Sequence, residues 1–227
     1  KYDLEGQEYY FGIGASREVA KGMGVAQAIG IGANKGDYIE SVASTSDGGY
    51  IAGGYFYSTE IQVGDYTLTN TTTNGDCDGM IIKYSSEGEV EWARSVGGAG
   101  VDQITSATET SDGGYIVGGY FFSSSIQAGD YTLTNSGRED GMVIKYSSSG
   151  EVEWARSVGG SSRDYIESVA STSDGGVIVG GYFESSSIQV GDYTLTNNGR
   201  SYSDGMIIKY SAEGSVEWVR SVGGSYQ

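Results

Sequence analysis

Histidine and proline are both absent from the 227 residues, and cysteine occurs once, at Cys77. Without histidine the chain lacks the residue behind most zinc sites, Ser/His/Asp triads and proton transfer near neutral pH. A lone cysteine excludes an intramolecular disulfide and a cysteine-rich metal cluster. The absence of proline argues against collagen despite 39 glycines. Positive charge is scarce. Thirteen Lys and Arg stand against 30 Asp and Glu, a net charge of -17, which disfavours nucleic acid and anionic membranes as partners. Long apolar runs are missing too: the best stretch, residues 22–33, carries Gln27 and four glycines and is too short for a membrane span. These absences predict a soluble, acidic protein that is not an enzyme, with no resident cofactor.

What is present is repetition. Asp37-Tyr-Ile-Glu-Ser-Val-Ala-Ser-Thr-Ser-Asp-Gly-Gly returns almost unchanged at Asp164 and more loosely at Asp102. Gly-Asp-Tyr-Thr-Leu-Thr-Asn starts at Gly64, Gly129 and Gly191, and Asp-Gly-Met at Asp78, Asp140 and Asp204. Val-Glu-Trp-x-Arg-Ser-Val-Gly-Gly starts at Val90, Val152 and Val216, placing Trp92, Trp154 and Trp218 at spacings of 62 and 64 residues. One structural unit is therefore used three times, over 37–101, 102–163 and 164–227.

Each unit reads as four short strands. In the first they run from Tyr38 to Thr45, Tyr50 to Tyr57, Gly79 to Tyr84 and Glu89 to Val96, with an extra hairpin near Ile61 to Asn70. Asp-Gly-Gly clusters supply the positive φ of the tight turns. Gly53-Gly54 in mid-strand suggests close approach by a neighbouring backbone. Strict alternation puts Val90, Trp92, Arg94 and Val96 on one face of the last strand.

The runs Asp-Gly-Gly-Tyr-Ile-x-x-Gly-Gly-Tyr-Phe, Asp-Gly-Met-x-Ile-Lys-Tyr and Gly-x-Val-Glu-Trp-x-Arg-Ser-Val-Gly-Gly resemble the β-propeller-type repeats of large bacterial surface and secreted proteins. The Gly-x-Val-x-Trp piece is also similar to a strand of the quinoprotein-like propeller repeat. The resemblance covers 37–227 and implies an all-β fold of three tandem four-stranded blade-like units and an extracellular or cell-surface location. It implies no activity. The chain opens at Lys1 without an initiator Met; removal of a signal peptide explains that, and so does trimming of a longer chain, and the expectation taken is a mature exported protein.

Propellers close with about four to eight blades, so three units leave unfinished ends. Residues 1–36 read as a divergent segment, either a half-blade or an assembly arm. Met23 to Gly32 aligns loosely with the fourth-strand pattern, and Ser16 to Gly22 reads alternatively as a short helix. The chain is then a fragment of a larger propeller, a ring built from several copies, or an open head-to-tail polymer. The assembly residues expected are Val25, Ile29 and Ile31 at one end and Val216, Trp218 and Val222 at the other.

The remaining candidates are modest. Asn74, Asp76 and Asp78 begin like a calcium loop, but its twelfth position is Ser85, and the equivalent segments of the other units lose the alternation. The three tryptophans are expected to pack between blades, and Arg94, Arg156 and Arg220 to pair with the recurring Asp78, Asp140 and Asp204. Lys83, Lys145 and Lys209 are expected to reach a rim or solvent. Cys77 is expected to face solvent. Tyr55, Tyr120 and Tyr182, or the tyrosines of Gly-Asp-Tyr-Thr, offer an aromatic platform for a rival function: binding cell-surface glycans or proteins as an adhesin or lectin-like module. The leading expectation is a structural protein whose partner is itself.

Overall fold

A computed structural model describes residues 29–199 and 202–224; Val25, with most of the 1–36 segment, lies outside them. The described residues form strands and turns and no helix. Unit 1 contains β1 (Asp37–Ser44), β2 (Tyr50–Phe56), β3 (Glu60–Val63), β4 (Tyr66–Thr69), β5 (Asp78–Tyr84) and β6 (Val90–Val96). Unit 2 contains β7 (Asp102–Glu109), β8 (Tyr115–Phe121), β9 (Ser125–Ala128), β10 (Tyr131–Thr134), β11 (Asp140–Tyr146) and β12 (Val152–Val158). Unit 3 contains β13 (Asp164–Ser171), β14 (Val177–Phe183), β15 (Ser187–Val190), β16 (Tyr193–Thr196), β17 (Asp204–Tyr210) and β18 (Val216–Val222).

In each unit four strands make one antiparallel sheet, in the orders β1-β2-β5-β6, β7-β8-β11-β12 and β13-β14-β17-β18, and the short pair forms a separate hairpin. This is the all-β architecture of tandem blade-like units that the repeats imply.

The turns explain why Asp-Gly-Gly recurs. Thr45 N–H donates to the Gly49 carbonyl at 2.9 Å, and Gly48 closes the turn at φ +84°. The Asp47 carboxylate accepts from the Thr45 hydroxyl and from Gly49 N–H. A Cβ on Gly49 would collide with the Tyr84 carbonyl and sit 2.6 Å from Lys83 Nζ, so the second glycine makes room for that carbonyl and the ammonium bonded to it rather than for a backbone angle.

The outer strand departs from simple alternation. Lys83 pairs with Trp92, but Tyr84 pairs with Val90. Glu91 is thus the extra residue of a β-bulge, which inverts the side-chain parity. Val90 turns to the face of Tyr84, while Trp92 and Val96 remain on the face of Ile81. The expected single face of Val90, Trp92, Arg94 and Val96 is corrected accordingly. The same bulge occurs in units 2 and 3, so Val216 packs within the core between units 2 and 3 and does not share the Trp218 face.

The core lies between sheets as well as within them. β7 packs on β1, β2 and β5, and β13 packs on β7, β8 and β11. One apolar cluster joins the back of unit 1 to the front of unit 2, and a second joins unit 2 to unit 3. A third covers the front of unit 1 alone. "Front" denotes here the face turned toward a preceding unit and "back" the face turned toward a following one.

Candidate functional site: the two end faces

The joint between units is built from knobs on the incoming inner strand and a glycine seat on the preceding sheet. Ile104 and Ala107 of β7 press on Gly53, where a Cβ would come within 2.8 Å of Ile104 Cγ2. Ile166 and Val169 of β13 press on Gly118 in the same way, at 2.6 Å from Ile166 Cγ2. Mid-strand glycine is therefore a packing requirement of the joint. At the third equivalent, Gly180, nothing among the described residues lies within 4 Å of an added Cβ.

Four apolar side chains surround each seat. Ile51, Ile81, Trp92 and Val96 are buried at the first joint, and Ile116, Val143, Trp154 and Val158 at the second. Their counterparts in unit 3 are uncovered: Ile207 is 37% and Val222 68% exposed, and Ile178 and Trp218 are half-buried. The opposite end is the mirror case. Ile104, Ala107, Ile166 and Val169 are buried, whereas their unit 1 counterparts Ile39 and Val42 are 39% and 63% exposed. The back of unit 3 and the front of unit 1 thus expose the counterparts of the side chains that the internal joints bury. Repeat equivalence was the signal for Ile39, Val42, Ile178, Gly180 and Ile207, and alternation within a single unit does not reveal it.

Trp92 and Trp154 lie in the joints between units, while Trp218, expected to pack in the same way, is half-buried on the uncovered back of unit 3. Trp92 Nε1 donates to the Ser148 carbonyl at 3.0 Å, and Trp154 Nε1 to the Ala212 carbonyl at 2.8 Å. Each ring covers the glycine of the next unit's last turn, Gly150 or Gly214. The arginines do not pair with the recurring aspartates. Arg94, Arg156 and Arg220 lie over the ring two residues earlier, at 5.9, 5.7 and 5.7 Å. Their NH1 groups bond the carbonyls of Ala93, Ala155 and Val219. Arg94 also reaches Glu151 at 3.3 Å, and Arg156 Nε donates to the Gly214 carbonyl across the joint.

Asp78, Asp140 and Asp204 serve the loops instead. They accept backbone N–H bonds from Thr71, Ser136 and Asn198 at 2.8, 2.9 and 2.9 Å. Each packs tightly against the glycine that follows the outer strand: Gly97, Gly159 or Gly223. The neighbouring Asp102 accepts from Gly98 N–H and the Ser123 hydroxyl. Burial pushes Asp102 and Asp140 up to about 6.

Asn74 and Asp76 do not join Asp78. Asn74 is exposed and accepts from Asp76 N–H at 3.4 Å, while Asp78 is buried against Thr71. Among the described residues no group of three or more Asp, Glu or Cys side chains is placed to hold a metal ion.

The lysines correct a second expectation. Lys83, Lys145 and Lys209 are buried rather than at a rim. Lys83 Nζ is held by Asp47 at 2.8 Å, Glu91 at 3.2 Å and the Tyr84 carbonyl at 2.8 Å. Lys145 lies between Asp112 and Glu153, and Lys209 between Asp174 and Glu217. The bulged glutamate of the outer strand and the turn aspartate replace the water that burial removes. Cys77 is buried too, not solvent-facing. Its carbonyl accepts from Asp102 N–H at 2.8 Å, which tucks the loop under β7, and burial pushes the thiol pKa up.

The tyrosines offered as an aromatic platform fall into two groups. Tyr66, Tyr131 and Tyr193 donate to the carbonyls of Glu91, Glu153 and Glu217, latching each hairpin to the outer strand. Tyr55 stacks on Tyr38 at 5.0 Å and meets Tyr57 edge-on, while Tyr165 lies 4.4 Å from Tyr120 and 5.0 Å from Tyr182. Of the expected assembly residues at the N-terminal end, Ile29 is exposed and Ile31 is half-buried on the front core of unit 1.

No family model matches the chain. A WD repeat-containing protein of Acanthamoeba polyphaga mimivirus is 23% identical over 161 residues, 59% of this chain and 12% of that protein. The chain thus spans a small part of that relative. A crystal structure of a protein of unknown function from Bacteroides caccae overlaps 83% of both chains at 12% identity and a TM-score of 0.31. The tandem four-stranded sheets and the WD-repeat relative together support a propeller-type repeat protein.

Proposed function

We propose that this is a non-catalytic structural protein that self-associates through its unlike end faces as a subunit of an extracellular or cell-surface assembly. The observation that carries the reading is the uncovered quartet of unit 3, Ile178, Ile207, Trp218 and Val222, whose eight counterparts at the internal joints are buried. A second copy presents the matching knobs, Ile39 and Val42. Contacts between unlike faces are heterologous, so they close into a ring when the rotation permits and otherwise propagate. Each apolar side chain fully buried contributes roughly 1.5–3 kcal/mol, against the cost of association and repulsion between subunits of charge -17. Salt screens that repulsion, and divalent cations neutralise it further. The cell-surface placement rests on the likeness to exported bacterial repeats. Light scattering across protein and salt concentration tests the reading: mass rises with both. A chain that stays monomeric throughout refutes it.

The stacked tyrosines favour a second reading, a glycan-binding module. Tyr38 is exposed at the edge of its group, and a half-exposed ring is a surface on which sugars stack. Glycan-array binding abolished by Tyr55→Ala and Tyr120→Ala supports it, and an array without signal removes it.

A further inference from the structure

The way the chain enters unit 1 bears on how that self-association is controlled, and such control presupposes the self-association itself. At the two internal joints the linker makes three recurring bonds. Gly98 and Gly160 N–H donate to Asp102 and Asp164 Oδ2 at 2.7 and 2.8 Å. Gly100 and Ser162 N–H donate to the Ser123 and Ser185 hydroxyls at 2.8 and 2.9 Å. Phe122 and Glu184 N–H donate to the carbonyls of Val101 and Arg163.

Residues 31–37 repeat all three. Ala33 N–H donates to Asp37 Oδ2 at 2.9 Å, Lys35 N–H to the Ser58 hydroxyl at 3.1 Å, and Tyr57 N–H to the Gly36 carbonyl at 3.1 Å. The register puts Ile31 where Val96 and Val158 stand, and Ile31 accordingly packs on the front core of unit 1. A neighbouring copy seated on unit 1 as unit 1 seats on unit 2 would bring its Val222, Gly223 and Gly224 to that same place. Two segments cannot occupy it together.

We propose that residues 31–33 are a place-holder for residues 222–224 of a neighbouring copy, and that the end faces join only when this segment releases Asp37. The fit favours exchange. At the internal joints the donor is glycine because a Cβ would lie 2.7 Å from the Ser125 carbonyl at Gly98 and 2.6 Å from the Ser187 carbonyl at Gly160. The chain's own segment carries Ala33 there, whereas the neighbour brings Gly224, which has nothing among the described residues within 4 Å of an added Cβ. The place-holder is the poorer occupant, held by being on the same chain.

Two substitutions move the balance in opposite directions. Ala33→Pro removes the N–H donor and loosens the segment; Ala33→Gly gives it the residue that the joints use. Association measured by sedimentation velocity should begin at roughly threefold to tenfold lower concentration for Ala33→Pro, the factor one hydrogen bond supplies, and at higher concentration for Ala33→Gly. Melting curves check that both fold. Amide exchange at Ala33 in the parent chain gives an independent readout: protected in the monomer, unprotected in the assembly. Association of all three proteins at one midpoint, or weaker association of Ala33→Pro, overturns the place-holder while self-association stands. Monomers throughout overturn self-association itself.

Discussion

The carboxylate of Asp47, at the tip of the turn between β1 and β2, reaches 2.8 Å to the ammonium of Lys83, whose side chain is buried on β5. Lys83 pulls the Asp47 pKa well below the ordinary carboxylate range. The pairing ties a turn to the centre of its own sheet and recurs in all three units. Removing the acid strands a buried cation, although the exposed Glu91 still shares it. Asp47→Ala should cost about 1–3 kcal/mol in urea unfolding. Lys83→Met, which removes the buried charge and leaves only the exposed carboxylates of Asp47 and Glu91 without it, should cost less. The reverse order would show that the ion pair does not anchor the turn.

The glycine seats make a paired test. Gly53→Ala forces a methyl into Ile104 and Ala107 and should destabilise by about 1–3 kcal/mol. Gly180→Ala meets no described atom within 4 Å and should leave monomer stability within about 0.5 kcal/mol. Its effect should appear in self-association instead. Equal losses in chemical denaturation would deny the difference between covered and uncovered seats.

Stability should peak in mild acid. Asp102 and Asp140 are raised by burial from 3.8 to about 6. Folding therefore carries a penalty above pH 6 that is relieved as pH falls through 6 toward 3.8. Asp112 and Asp174 act in the opposite sense. Burial opposes the shift at Asp112, but bonds from Lys145, Thr110 and Gly114 outweigh it and bring the pKa down to about 2. Bonds from Thr172, Gly176 and Lys209 likewise lower Asp174 to about 2. The stability they contribute is present above 3.8 and is lost as pH falls toward 2. Melting temperature should rise from pH 7 to between about 4 and 5 and then fall. A steady decline from pH 7 downward would contradict the burial of those two carboxylates.

Much of the fold is legible in the sequence because turns and repeats are local. Asp-Gly-Gly marks each first hairpin, and Trp92 and Trp154 mark the two joints. What escapes depends on the partner across the sheet. Nothing local to Val90 announces that Glu91 is bulged, yet the bulge turns Val90 over and brings Glu91 to Lys83. A lysine in an apolar strand reads as a rim residue until the turn carboxylate and the missing Cβ of Gly49 are in place. Cys77 reads as a loop residue until β7 of the next unit covers it. The end faces are legible only by comparing equivalent positions: Val42 looks like Ala107 and Val169, and differs from them in having no unit before it among the described residues.

Trp218 reports on its own face. Trp92 and Trp154 are buried in joints, while Trp218 is half-buried at the free end. In a chain carrying Trp92→Phe and Trp154→Phe, emission should shift to the blue as concentration and salt drive association. Emission unchanged while particle mass rises would place the contact elsewhere.

The internal joints give the geometry for a direct trap. A Cβ built on Gly53 lies 3.2 Å from the Ala107 Cβ, a few tenths of an ångström short of the roughly 3.5–4.5 Å of a disulfide, and Gly180 and Val42 are the same positions on the two uncovered faces. Two single variants, Val42→Cys and Gly180→Cys, are mixed under mild oxidation and the products separated by mass; Cys77 is buried and stays out of the reaction. Joining of the unlike faces in the register of the internal joints predicts a mixed disulfide dimer that forms far faster than either homodimer. No cross-link, or homodimers forming as readily as the mixed species, would contradict it.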